Sequence, residues 1–115
     1  MFVIREEQMD AFSQAEIEKF ENRMVLHLQS VFPDQTKNTP NPDLLNMIQL
    51  GIEKSTEYNI TTEGDVRRYL ECSILYGWDF DTKPETYWAG EILRDDDLDG
   101  ETKMDMIEQH EAEQQ

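Results

Sequence analysis

The apolar residues of this chain recur at intervals of three, four and eight, in blocks cut apart by prolines, asparagines and a glycine. That spacing places each block on one face of a helix and fits poorly with the two-residue period of a strand. From about Glu6 to Phe32, the positions Phe12, Phe20, Met24, Leu28 and Val31 line one stripe, with Ile17 beside it. The pattern predicts one amphipathic helix, bent near Ser13 and ended by Pro33, since a proline pushes the residue before it out of helical geometry. The following "PDQTKNTPNP" reads as a loop.

Asn41-Pro42-Asp43 supplies a second helix start: Asn as N-cap, Pro in the first turn, and Asp at the positive end of the dipole. Leu44, Leu45, Ile48 and Ile52 follow on one face, and Tyr58-Asn59 ends the element because Asn tolerates a left-handed cap. Thr62 and Asp65 make a capping pair. Val66, Tyr69, Leu70, Ile74 and Leu75 then form the buried side of a third helix that stops near Gly77. "WDFDTKP" is a turn, after which Thr82 as cap and Pro84 in the first turn would start a short helix facing Tyr87, Trp88, Ile92 and Leu93 inward. A last helix is expected from Asp99 to Ile107, with Met104 and Ile107 inward. The fold expected is all-α: one small bundle of about five helices, with an N-terminal arm at 1–5 that carries Phe2–Ile4, a helical core at 6–107 and a frayed tail at 108–115.

Charge narrows the function classes. Ten Lys and Arg stand against 26 Asp and Glu, a net charge of −16 over 115 residues. Such a surface repels phosphate backbones and anionic lipid, so neither nucleic acid nor membrane is an expected partner. It suits a basic protein partner, or serves solubility alone. The single cysteine, Cys72, leaves no intrachain disulfide and no multi-cysteine metal site. The opening "MFVIREEQMD" lacks the apolar run of a signal peptide. A cytoplasmic protein is therefore expected, with any export made by an apparatus that needs no signal peptide.

The stretch "DDDLDGETKMDM" begins as a calcium loop does. Asp95, Asp97 and Asp99 occupy positions one, three and five, with Gly100 at six. Position twelve should be a Glu gripping the ion with both oxygens, and it is Met106. A turn whose Asp99 caps the last helix is the simpler expectation, with weak calcium binding as its alternative. His27 lies beside the apolar stripe of the first helix and suits a structural role, while His110 falls in the expected tail. Cys72 reads as a small buried hydrophobe. No Gly-rich phosphate loop, zinc ligand set or nucleophile–base grouping is present, so neither an enzyme nor a cofactor is expected.

The most distinctive stretch is "GWDFDTKPETYWAGEIL", which gathers aromatics around two aspartates. Aromatics at such a turn can plug the end of a bundle, and the same composition makes an interface hot spot. Trp78, Asp79, Phe80, Asp81, Tyr87 and Trp88 are the candidate partner-binding residues. The six methionines add adaptable apolar surface, either core filler or the lining of a groove for a partner helix. The stripes on the first and third helices are broad enough to leave a homodimer open.

Across Ile4 to Met106, the segments "IREEQMDAF", "FENRM", "GIEK", "YNI", "EGDVRRYL", "GWDFDTKPETYWAGEIL" and "LDGETKM" together resemble a family of small helical proteins. These are encoded among the effector cassettes of bacterial type VI secretion systems. The resemblance is best marked at Asp65-Val66, Tyr69-Leu70, Asp79-Phe80-Asp81, Pro84, Trp88-Ala89 and Ile92-Leu93. It brings no catalytic residue. It implies an accessory role as adaptor, chaperone or co-secreted partner of an effector or spike component encoded nearby. An immunity protein that inhibits a basic toxin is the alternative.

Overall fold

A computed structural model describes residues 12–113, and the fold is all-helical. Its elements are α1 (Gln14–Val31), α2 (Pro33–Thr36), α3 (Asn41–Glu57), α4 (Glu63–Tyr76), a 3-10 turn (Pro84–Thr86), α5 (Tyr87–Leu93) and α6 (Gly100–Glu113). The expected arm at 1–5 and the start of the first helix at Glu6 lie outside the described residues.

Local chemistry sets the boundaries. Ser13 opens α1 with a capping box: its hydroxyl accepts from the Glu16 amide, and the Glu16 carboxylate accepts from the Ser13 amide. The bend expected near Ser13 is thus a helix start. Pro33 does end α1, yet it also begins the single turn of α2, where the expectation was a loop. Proline suits a first helical turn because its missing N–H has no partner there anyway. Pro40, not Asn41, is the N-cap of α3; Asn41 is already helical and uses its side chain to accept from Gln29 at 2.6 Å. Asn59 adopts the left-handed geometry expected of it (φ 63°), and Thr62 caps α4 through the Asp65 amide. Lys83, not Thr82, precedes the 3-10 turn.

α3 packs against α1 on one side and α4 on the other, while α6 closes over α4 and α5. Phe20 and Leu28 of α1, Leu44 and Ile48 of α3, and Val66, Tyr69 and Leu70 of α4 are all but fully buried. Leu93, Met104 and Ile107 complete the core from the C-terminal side. Three expected core positions point outward instead: Val31, Leu75 and Tyr87 are exposed.

The last helix differs most from expectation. It runs to Glu113 rather than fraying after Ile107. Three contacts to other elements hold its final turns: Arg68 donates to Glu108, the Cys72 thiol to Glu111, and the His110 ring lies 3.9 Å from the Trp88 ring. Among the described residues, no helix is long and apolar enough to cross a membrane.

Candidate functional site: an aromatic turn anchored by a buried aspartate

The turn between α4 and α5 is built around Gly77. Its φ of 110° is a geometry that side chains disfavour, and it reverses the chain where α4 ends. The Lys83 ammonium donates back to the Tyr76 carbonyl and covers that helix end. Phe80, fully buried, packs on Tyr69 with ring centroids 5.1 Å apart, and its carbonyl accepts from the Thr86 hydroxyl at 2.6 Å.

Asp81 is the anchor. It is 2% exposed, and its carboxylate accepts from the Tyr58 hydroxyl at 2.7 Å and from the Lys54 ammonium at 3.0 and 3.3 Å. Its backbone carbonyl accepts from Arg94 at 2.9 Å. A buried carboxylate needs such donors, because ionised oxygens without them cost several kcal/mol. Gly90 permits the approach: a Cβ there would stand 2.6 Å from the Asp81 carbonyl oxygen. Lys54 and Tyr58 are one turn apart on α3 and share a face. The Tyr58 carbonyl in turn accepts from buried Lys103 at 2.7 Å, which ties α6 to the same node.

The six expected binding residues therefore divide. Phe80 and Asp81 lie inside and hold the turn, so they are not surface contacts. Trp78 is half-buried over Gly51, where an added Cβ would come within 3.2 Å of its ring. Trp88 is half-buried and meets Tyr76 edge-on at 5.9 Å. Tyr87 is 61% exposed and the Asp79 side chain 70% exposed, so these two face solvent. Lys54, Tyr58, Arg94 and His110 were missed by sequence reasoning. The Lys54–Tyr58 spacing was a usable signal; Arg94 and His110 offered none, since their contacts are purely tertiary.

The acidic loop is a cap. Asp95 accepts from the Asp97 amide at 3.0 Å and Asp99 from the Thr102 amide at 2.8 Å. The Thr102 hydrogen bond holds the Asp99 carboxyl below its usual range. No group of three or more His, Cys, Asp or Glu side chains among the described residues could hold a metal ion. Cys72 is buried as expected, and burial followed by the charge of Glu111 pushes its thiol well up, away from the reactive thiolate. His27 joins α1 to α4 through Glu71 at 2.7 Å.

The tyrosines around the node titrate late. Tyr58 is pushed up to about 12 by burial and by the bond it donates to Asp81. Tyr76 is pushed to about 12 by burial and by the charge of Glu111, and Tyr69 is raised further, chiefly by burial. A raised folded-state pKa gives stability that is complete below the unfolded value, here 10.0, and is lost as pH climbs towards 12. The melting temperature should thus hold to near pH 10 and then fall steeply, with phenolate absorbance at these three positions appearing only on unfolding. Tyr58→Phe should shrink the fall. Phenolate forming at all three near pH 10 in the folded chain would contradict this account.

No protein-family model, curated protein or solved structure matches the chain.

Proposed function

We propose that the chain is a non-enzymatic protein-binding module, an accessory protein of a type VI secretion effector acting as adaptor, chaperone or co-secreted partner. One observation carries the reading. Tyr87 and Asp79 are exposed on a turn whose inner side is fixed by Asp81, Phe80 and Gly77. An aromatic held rigid before its partner arrives loses little freedom on binding, which is how hot-spot residues gain their effect. The net charge of −16 fits a basic partner.

The experiment is co-purification with the products of the flanking genes. The partner should remain bound at moderate salt, and Tyr87→Ala should weaken the complex by at least about tenfold, a modest hot-spot effect. If no neighbour is retained by the unsubstituted chain, the proposal fails. A second reading, an immunity protein occupying the cleft of a basic toxin, is favoured by the charge alone. It requires very fast association that slows steeply with salt, together with survival of cells expressing the toxin.

A further inference from the structure

Five of the ten Lys and Arg side chains, Lys54, Arg68, Lys83, Arg94 and Lys103, donate across contacts between elements. Three of the others gather where α1 faces α4. Lys19, Arg23 and His27 stand one turn apart along α1, and Glu63, Arg67 and Glu71 one turn apart along α4. The two rows meet: Arg23 donates to Glu63 at 3.2 Å, and His27 contacts Glu71 at 2.7 Å. A complementary α4 row would carry an acid between Glu63 and Glu71. It carries Arg67, whose Nε lies 4.0 Å from the Glu71 carboxylate. Arg23 and Arg67 line one cleft of about 100 Å³, shared with buried Phe20 and Met24 and with Glu63 and Gly64. The Arg23 guanidinium is held there, 5.5 Å over the Phe20 ring. Both arginine side chains are about half exposed, so the cleft is open to solvent.

We infer that this cleft binds a phosphate group in its dianionic form. Lys19, Arg23 and Arg67 outnumber Glu63 and Glu71 even before His27 is counted, so the two rows leave positive charge over. Two guanidiniums lining one small space repel each other, and an anion between them removes that repulsion. Their donors are largely unspent. Glu63 accepts from one nitrogen of Arg23, and the 4.0 Å separation of Arg67 from Glu71 is too long for a hydrogen bond. A volume of about 100 Å³ holds roughly three waters, the scale of one phosphate group. A carboxylate would only duplicate what Glu63 already supplies. A phosphate brings roughly two negative charges and oxygens enough for both planar forks. The net charge of −16 opposes a polyanion, which must lie across acidic surface, more than a single group seated at this cleft. No residue of the aromatic turn lines the cleft, so the site is independent of Tyr87.

Titration of the full chain with inorganic phosphate, followed by NMR at constant ionic strength and about pH 8, tests the inference. The side-chain N–H signals of Arg23 and Arg67 and the Gly64 amide should shift along a saturating curve, and the melting temperature should rise with phosphate. Arg23→Gln and Arg67→Gln should each weaken binding by at least about tenfold, the scale of one charged hydrogen bond. Arg67→Lys, which keeps the charge and loses the fork, should fall between. Lys37→Gln, at an exposed cation outside the cleft, should leave binding unchanged. Without phosphate, Arg67→Gln should melt no lower than the unsubstituted chain, since it removes a like charge from beside Arg23. A capped phosphoserine peptide run in parallel identifies the source: tighter binding than inorganic phosphate points to a phosphorylated protein, equal binding to free phosphate, and both uphold the site. Shifts that grow without saturating, or that reach Lys37 equally, mean an adventitious ion only and overturn the inference. So does acetate binding as tightly as phosphate, or phosphate binding that survives both glutamine substitutions.

Discussion

Replacing Asp81 by alanine is expected to destabilise the fold by about 3 kcal/mol, the scale of breaking a buried ion pair from one side. The carboxylate is 2% exposed and satisfies both the Tyr58 hydroxyl and the Lys54 ammonium. Its loss orphans the hydroxyl, while Lys54, with a side chain 38% exposed, can turn partly to water. That escape keeps the expectation at the lower end of the range for buried pairs. Asp81→Asn, which keeps one acceptor oxygen, should cost less than half as much. Tyr58→Phe removes one hydrogen bond without stranding a charge inside the chain's centre and should cost about 1 kcal/mol. Urea denaturation midpoints read all three. If Asp81→Ala shifts stability by no more than Tyr58→Phe, the ion pair with Lys54 contributes nothing and the anchor is a single hydrogen bond. The partner binding we propose depends on the same geometry. A chain lacking the anchor still carries Tyr87 and Asp79, yet holds them on a looser turn, so binding should weaken even where the helices stay folded.

The contrast between Asp79 and Asp81 shows where sequence ends and structure begins. In "WDFDT" the two aspartates look alike, two positions apart in one turn. One is exposed and the other is the most constrained acid near the core. What separates them is Tyr58 and Lys54, 23 and 27 residues earlier in the chain. No local pattern encodes a partner at that separation. Local signals did encode the boundaries. The left-handed Asn59, the Thr62 cap and the stop at Gly77 all follow from single-residue backbone preferences, and the structure has each of them. Ser13 with Glu16 was just as readable as a capping box, but the apolar stripe running through Phe12 suggested a longer helix. The C-terminal end of α6 has the opposite character. Its last turns carry few apolar residues, so periodicity ends at Ile107, and ion pairs and a ring contact from α4 and α5 supply what composition does not.

Arg68 is the strongest of those supports, and its removal should expose how much of α6 depends on charge. Its guanidinium donates to Glu108 at 2.8 and 3.1 Å, to Asp105 at 2.6 Å and to Asp65 at 2.9 Å, three carboxylates from two helices. Arg68 is only 17% exposed, whereas Asp105 and Glu108 are 61% and 49% exposed, so solvent screens part of each pair. A buried network would be worth more and an exposed pair less; for this mixed case Arg68→Ala should cost about 2 kcal/mol. The loss has two parts. One is the forked hydrogen bonding of the guanidinium, which Arg68→Lys cannot restore, because an ammonium has no planar fork. The other is repulsion among three carboxylates left without their shared cation, in a chain already at −16. Salt separates the two, since it screens repulsion but does not replace hydrogen bonds. Added salt should therefore recover part of the stability of Arg68→Ala and little of that of Arg68→Lys, which keeps the charge. Hydrogen exchange in α6 should quicken in both variants before α1 or α3 responds, because only α6 is held to α4 through this side chain. A loss under about 0.5 kcal/mol, the level of ordinary surface pairs, would mean that Met104 and Ile107 alone seat the helix.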